Sequence, residues 1–462
     1  MQEVARERQA PAGESVGLPR LAEGVELLGE FKDSGYSQPP SLVRRVDGQV
    51  IQMSRLLYLV ASLIDGIRAP ASIAELASRD LGRTLTTEQV RYVIDTKLRP
   101  LGLIAREGPP VTPPTASPLL ALRARGTLLP ERAANVAGTF FRPLFRPPVI
   151  VAVVVCVAAM DYWLLSAHGL GAALRQVVRN PADLLIVAGL TIVSSMFHEC
   201  GHAAGCRYGG ARPGRIGVGI YLVWPAFFTN VTDSYRLSRG GRLRTDLGGV
   251  YFNLIFILAL AGIYEATSSE LLLLVIAATH LEMLEQLLPF IRFDGYFILS
   301  DIVGVPDLFA RVAPVVRSAL PRGGQDPRVT GLRPRARAVI TGWVLSVIPL
   351  LIVMLGYFLL RLPDVNRALW HSASQQARLM STALAGHRFA AAGIDAISIA
   401  LVAMSIAGSI YFVAVLTRRA WTLGLRWSAG RPARRLGTAA TAVACAALLA
   451  VFWAAQGQFE GW

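Results

Sequence analysis

Long apolar runs separated by polar, arginine-rich segments dominate the chain after residue 147. A helix needs about 20 predominantly apolar residues to cross the hydrocarbon core of a bilayer. The composition agrees with such crossings, because 53% of the residues are hydrophobic and only 17% are charged. The pattern predicts a multi-pass α-helical membrane protein with about seven transmembrane helices, at 148–166, 182–206, 247–265, 270–289, 336–360, 391–417 and 434–455.

Arginines alternate between the connections of these predicted helices. The second-to-third, fourth-to-fifth and sixth-to-seventh connections are rich in arginine, whereas the first-to-second holds only Arg175 and Arg179 and the third-to-fourth holds none. Because cytoplasmic loops carry the excess of Lys and Arg, we predict a cell-membrane protein with a cytosolic amino terminus and an extracytoplasmic carboxyl terminus. The net charge of +15 follows from this pattern. The expected partner is therefore the lipid bilayer, and no nucleic acid is expected.

The chain before the first predicted helix has the composition of a small soluble domain and a linker. Residues 1–22 are polar, lack an apolar signal segment and are expected to be flexible. We place a winged-helix-like α+β domain at 23–106 and a linker rich in proline and arginine at 107–146. The domain is predicted to begin with a hairpin that turns at Asp47-Gly48. Three helices follow: one at 54–64, one that begins at Ser72 with a capping box, and one at 87–98. A wing strand is predicted at 101–105.

The segment 197–202, which reads FHECGH, ends the second apolar run and has the pattern of a zinc site. His198 and His202 are four residues apart, so on a helix both imidazoles project from one face and can bind one zinc ion. Glu199 lies beside them and can move protons for a hydrolytic reaction. Ionisable groups in a membrane helix are costly, which favours a functional role over a solvated surface motif.

Three further segments resemble motifs of the site-2 protease family of intramembrane zinc metalloproteases. LPFIRFDGY at 288–296 is similar to the segment that carries the family's aspartate ligand, and GGVYFN at 248–253 is similar to its glycine and asparagine motif. The loop at 224–233 resembles that of bacterial peptide zinc metalloproteases. The resemblance covers roughly residues 180–310. The sequence departs from the family's usual leucine at Phe293 and from a common asparagine at Gln286.

This resemblance implies a ligand set and a core. It implies Zn²⁺ bound by His198, His202 and Asp294, with Glu199 as the general base and Asn253 as a substrate-binding residue. It also places a protease core with four transmembrane helices at 147–310 and three additional transmembrane helices at 311–462.

The predicted topology tests the ligand set independently. The exits of the second and fourth predicted helices both face the cytosol, so His198, His202 and Asp294 lie on one side, whereas an aspartate on the other side would be roughly 30 Å away. We therefore expect the active site near the cytosolic side. The segment 214–228 is too short and too broken by glycine and proline for a span, and we expect a re-entrant or strand-like element that lines the site.

The predicted amino-terminal domain resembles the peptide-recognition domain of enzymes that mature ribosomally synthesised, post-translationally modified peptides (RiPPs). The resemblance implies that a precursor peptide docks its leader on this domain, as an added strand or in a helix–strand groove. Such a domain is expected to be separable from the zinc site. Winged helices also bind DNA, but the third predicted helix mixes basic residues with Glu88 and Asp95. DNA binding and a purely structural role are the alternatives.

The predicted function is removal of the leader from a RiPP precursor by a membrane-embedded zinc metalloprotease. The same chemistry could release a membrane-tethered regulator, and a non-catalytic accessory subunit of a peptide exporter could keep the fold without turnover. Within the fourth predicted helix, His280, Glu282 and Glu285 either line a water or substrate path or pair across a helix interface. Both interpretations stay open at this point.

Overall fold

The computed structural model describes residues 18–45, 50–105, 123–167, 182–221, 224–319, 324 and 326–430, with short pieces of 436–451. The predictions of flexible residues before 18, of the Asp47-Gly48 turn, of the first part of the linker up to residue 122 and of half of the last predicted span lie outside the described residues. The described chain is mainly helical and contains two three-stranded antiparallel sheets.

The amino-terminal domain is a three-stranded sheet followed by three helices. Val43 and Met53 from the sheet and Val60, Ile73 and Leu98 from the helical part belong to one buried apolar core. The elements are β1 (Glu26–Glu30), the central strand β2 (Ser41–Arg44), β3 (Val50–Met53), α1 (Arg55–Leu63), α2 (Pro70–Leu81) and α3 (Thr87–Val93), which a π-helical turn (Ile94–Leu98) extends.

Two local predictions in this domain were wrong. Helix α2 begins at Pro70 rather than Ser72, because proline fixes a helical φ at the first position, and no side chain caps it. The capping box instead begins α3, where the Thr86 hydroxyl accepts from the Gln89 N–H and the Gln89 side chain reaches back. The predicted wing strand at 101–105 forms only an isolated bridge, because it passes beside the segment before β1 instead of pairing along a strand.

Part of the predicted linker is regular structure that packs against the helix that carries His198 and His202. Residues 123–129 form β4, which pairs with β5 (Ile216–Tyr221), and β5 pairs with β6 (Trp224–Thr229). Helix α4 (Glu131–Phe141) packs closely, since a Cβ on Gly138 would lie 2.9 Å from the carbonyl oxygen of Ala203. The linker prediction was therefore wrong for 123–146, because pairing with distant strands leaves no mark in local composition.

The helices of the core follow β4 and α4 in the chain. They are α5 (Pro147–Ala167), α6 (Ala182–Tyr208), α7 (Arg239–Asp246), α8 (Gly248–Thr267), α9 (Glu270–Leu287), α10 (Asp294–Val303), α11 (Phe309–Ala319), α12 (Pro327–Thr330), α13 (Pro334–Ala385) and α14 (Phe389–Trp427). Four helices in the described part of the chain are long and apolar enough to cross a membrane, and they are α5, α8, α13 and α14. Helices α6 and α9 coincide with the second and fourth predicted spans, but they carry the polar residues of the candidate site.

Helices α13 and α14 form a long hairpin. Helix α13 has 52 residues, which at 1.5 Å per residue is about 78 Å, more than twice the roughly 30 Å of a hydrocarbon core. The predicted span at 336–360 lies within this helix, and the more polar residues up to Ala385 continue the helix beyond it. Phe358 and Phe412 pack edge to face between the two helices.

The segment between β1 and β2 docks the amino-terminal domain on the helical core. The Gly35 N–H donates to the carbonyl of Gly304, and the Gly35 carbonyl accepts from the Arg333 N–H. A Cβ on Gly35 would overlap the carbonyl oxygen of Val303, so only glycine allows this approach. The domain is therefore fixed to the end of α10 and the start of α13.

Candidate metal centre

His198 and His202 lie one turn apart on α6 and face the same buried point. The two residues are only 2% and 8% exposed, respectively. Their Nε2 atoms are 3.1 Å apart. Oδ2 of Asp294 lies 3.0 Å from Nε2 of His198 and 3.4 Å from Nε2 of His202. Ligand atoms from two distant segments therefore converge, as the sequence interpretation requires.

The spacing of these atoms fits a tetrahedral metal site. Zinc lies about 2.0–2.1 Å from nitrogen and oxygen ligands, so two ligand atoms of a tetrahedral zinc are about 3.3 Å apart. Oδ2 of Asp294 is buried and, in the described part of the chain, has no polar partner besides the two imidazole nitrogens, which suits an atom that shares a cation with them. Two imidazoles and one carboxylate leave the fourth position open, as in catalytic zinc sites.

Asp294 is positioned by the tight turn between α9 and α10. Helix α9 ends at Leu287, just before Pro289, and Asp294 is the first residue of α10, where the helix dipole favours a carboxylate. A Cβ on Gly295 would overlap the carbonyl of Leu287. Trp343 of α13 donates through Nε1 to the carbonyl of Pro289 at 2.8 Å and anchors the turn.

The orientation of His202 is set from α7. Nδ1 of His202 lies 2.8 Å from the carbonyl oxygen of Thr245, which makes Nδ1 the protonated nitrogen and leaves the lone pair of Nε2 for the metal. Thr245 is fully buried and its hydroxyl donates to the carbonyl of Gly241. The end of α7 therefore acts as a rigid support behind the ligand.

Glycines at the contact of α6 with α8 create the room for the site. A Cβ on Gly201 would overlap the carbonyl of Gly248, and a Cβ on Gly248 would overlap that of Gly201. A Cβ on Gly249 would overlap the imidazole of His198. The glycine pair at 248–249 is thus explained by close helix packing and by the volume of the first ligand.

Gly249→Ala is expected to displace the His198 ring and to lower zinc affinity by at least about tenfold, the lower end of the loss seen when groups that orient a ligand are changed. Zinc affinity is measured by competition with a chromophoric chelator on the full chain. Gly262→Ala, on the same helix but facing open space, is the matched control and should bind zinc normally. Equal affinity of the two variants would contradict the assignment of His198.

The electrostatics of the site keep Asp294 ionised. Burial alone raises the pKa of this carboxyl, but the facing imidazoles of His202 and His198 outweigh burial and lower the pKa below its ordinary value. The charge is therefore lost only when the pH falls well below about 3.9. The ionised carboxylate is the form that binds a metal.

A cavity of 2280 Å³ opens onto the ligands, and Glu199 lines it. The Thr229 hydroxyl donates to the carbonyl of Glu199 at 2.9 Å and ties β6 to α6. The expected strand-like element at 214–228 is thus the β5–β6 hairpin, and residues of β6 form part of the cavity wall. Glu26 and Arg44 of the amino-terminal domain line the same cavity.

The other polar residues singled out in the sequence have separate positions. Asn253 is fully buried, its amide finds no hydrogen-bond partner in the described part of the chain, and it is not part of the cavity wall. Its substrate-binding role stays a prediction. His280 pairs with Asp161 across α9 and α5 at 3.3 Å, whereas Glu282 and Glu285 line the cavity.

The sequence motifs did not point to the ion pair that links the helices beside the candidate ligands. Arg242 and Asp301 form a buried ion pair at 2.8 Å between α7 and α10. Their separation of 59 positions hides the pairing from any local pattern. The available signal was a polar helix, RGGRLRTD at 239–246, directly before an apolar run.

Comparisons with known proteins support a metalloprotease relationship over part of the chain. A Bacillus subtilis (strain 168) protein named "Putative peptide zinc metalloprotease protein YydH" is 30% identical over 125 residues, which is 27% of this chain and 50% of that protein. The chain thus spans about half the length of this curated relative. No protein-family model matches the chain. No solved structure matches it.

Proposed function

We propose that this chain is a membrane-embedded zinc metalloprotease of the site-2 type that hydrolyses a bond in a peptide. The observation that carries the proposal is the convergence of His198, His202 and Asp294 at tetrahedral spacing, with Glu199 in the same cavity. The printed name of the Bacillus subtilis relative supports zinc as the metal and a peptide as the substrate class.

The residues present divide the chemistry between them. A bound zinc would polarise the scissile carbonyl and lower the pKa of a water molecule towards about 7. His198, His202 and Asp294 would hold it, and Thr245 keeps His202 in the required tautomer. Glu199 accepts a proton from the attacking water and delivers it to the departing amine, so the C–N bond yields a carboxylate and an amine. Removal of zinc with a chelator should abolish cleavage, and added zinc should restore it.

We place the site near the cytosolic face of a seven-helix arrangement. Helices α5, α6, α8, α9, α13 and α14 account for six of the spans, and 434–455 supplies the seventh. The arginine-rich connections support a cytosolic amino terminus and an extracytoplasmic carboxyl terminus. The four strongly apolar helices support membrane association, and the polar faces of α6 and α9 would be covered by the protein interior.

The substrate proposed is a RiPP precursor whose leader docks on the amino-terminal domain. Residues Glu26 and Arg44 of this domain and the catalytic Glu199 line one continuous cavity, so a peptide bound to the domain can extend to the metal ligands. Strand β3 lies at the edge of its sheet among the described strands and offers main-chain groups to an added strand.

The leader proposal is tested by binding to the full chain in detergent micelles. A labelled RiPP leader peptide is expected to bind with weak salt dependence, because main-chain hydrogen bonds and apolar pockets supply the affinity. A labelled DNA duplex is expected not to bind. Tight duplex binding that weakens steeply with salt, without peptide binding, would favour the DNA alternative.

A further inference from the structure

Arg242 is fully buried and has the largest of the completely buried side chains among the described residues. Its Nε donates to Oδ1 of Asp301 at 2.8 Å, and its Nη1 donates to the carbonyls of Lys32 at 3.2 Å and Leu237 at 3.0 Å. The guanidinium lies 4.4 Å above the ring of Phe31. A buried cation is costly unless it is paired and hydrogen-bonded, so these contacts fix the side chain in one place.

The Arg242–Asp301 pair joins the helix that orients His202 to the helix that carries Asp294. Arg242 belongs to α7, whose Thr245 carbonyl orients His202. Asp301 belongs to α10, whose first residue is Asp294. A shift of α7 relative to α10 therefore changes the 3.4 Å separation between the imidazole and the carboxylate.

A second buried carboxyl lies close to the same ion pair. Asp246 ends α7, and burial together with the nearby charge of Asp301 raises its pKa well above the ordinary value. Burial also raises the pKa of Asp301, against the lowering effect of the Arg242 guanidinium. The contact between α7 and α10 therefore brings two buried carboxyls close to one buried cation.

The amino-terminal domain closes this network from the opposite side. Phe31 is completely buried beneath the guanidinium, and the Lys32 carbonyl accepts one of the hydrogen bonds of Arg242. The Asp33 carboxylate accepts from the Arg239 N–H at 3.0 Å, and the Asp33 carbonyl accepts from Nη2 of Arg239 at 2.7 Å. The same segment continues to the contact with the end of α10 described above.

We infer that the amino-terminal domain is a working part of the metal centre: segment 31–35 seats Arg242, and Arg242 with Asp301 fixes the separation of His202 and Asp294. The inference rests on the proposed metal site. Arg242 and the segment are positioning groups, because they act through the ligands. Linked binding equilibria are reciprocal. If a ligand bound to this segment changes the affinity for the metal, then the metal changes the affinity for that ligand by the same factor.

The test uses two variants outside the ligand set, Phe31→Ala and Gly35→Ala, in the full chain in detergent. The first removes the ring beneath Arg242, and the second pushes the segment away from Val303. Each is expected to lower zinc affinity about 10- to 100-fold and to change the d–d absorption of the cobalt-substituted protein. Gly240→Ala on α7, which faces open space, is the matched control and should change neither.

Arg242→Lys provides a third variant that keeps the buried charge but cannot reach Asp301 and Lys32 together. It should give the same loss of zinc affinity and the same spectral change. Normal zinc affinity and a normal cobalt spectrum in the three variants, in protein that elutes as folded, would overturn the inference. If the variants lose metal as expected while the unaltered chain cleaves no peptide, the inference is supported and only the protease proposal fails. A chain that binds no zinc overturns both.

Discussion

Glu199→Gln is expected to retain zinc and to lose peptide cleavage by about 10²- to 10⁴-fold, the usual contribution of a general acid–base group. The amide keeps the shape of the carboxylate but cannot accept a proton. The three metal ligands stay unchanged, so zinc content should equal that of the unaltered chain. Cleavage rate and zinc content are measured on the same preparation.

Glu75→Gln is the matched control for this change. Glu75 lies on the exposed surface of α2, where it pairs with Arg79 at 2.5 Å, and an exposed pair of this kind contributes little to stability. The control should cleave normally. Full activity of Glu199→Gln with normal zinc content would rule out Glu199 as the general base.

Asp294→Ala is expected to weaken zinc binding by more than about 100-fold, because it removes a direct ligand rather than a group that orients one. The two imidazoles alone leave an incomplete site, so peptide cleavage should be lost together with the metal. Zinc content after dialysis, by elemental analysis, measures the first effect. Asp65→Ala, which changes an exposed loop carboxylate of the amino-terminal domain, should retain zinc.

If Asp294→Ala retained zinc, the metal would be held by other groups. The ligand assignment would then have to be replaced. If the variant lost zinc but still cleaved peptide, hydrolysis would not depend on the metal.

Much of the candidate metal site could be predicted from the sequence, because its two histidines lie close together in the chain. His198 and His202 need only helical spacing to meet, and the helix is defined by an apolar run. Asp294 required a resemblance, since a residue 92 positions after His202 leaves no periodic signal. The glycines at 248–249 entered through the same resemblance, and the structure supplies their physical reason in the contact with α6.

Other parts of the fold depend on distant contacts and were not predictable from composition. Strand β4 lies in a segment that reads as linker and becomes a strand by pairing with β5. The expectation that the amino-terminal domain is separable from the zinc site stays a prediction, although the structure shows close contacts between the domain and the helical core. Phe31 packs on Arg242, and Gly35 packs on the end of α10, so deleting the domain would expose a buried cation. Point variants of the amino-terminal domain therefore test leader recognition with less disturbance of the core than deletion of the whole domain.

The central claim, zinc-dependent peptide hydrolysis at Glu199, is tested most directly by mapping new peptide termini. The purified full chain in detergent is incubated with a proteome-derived peptide mixture, with zinc or with a chelator, and the products are sequenced by mass spectrometry. The account predicts new termini that require zinc and that are absent with Glu199→Gln. Termini that persist after chelation, or the same termini from Glu199→Gln, would contradict it.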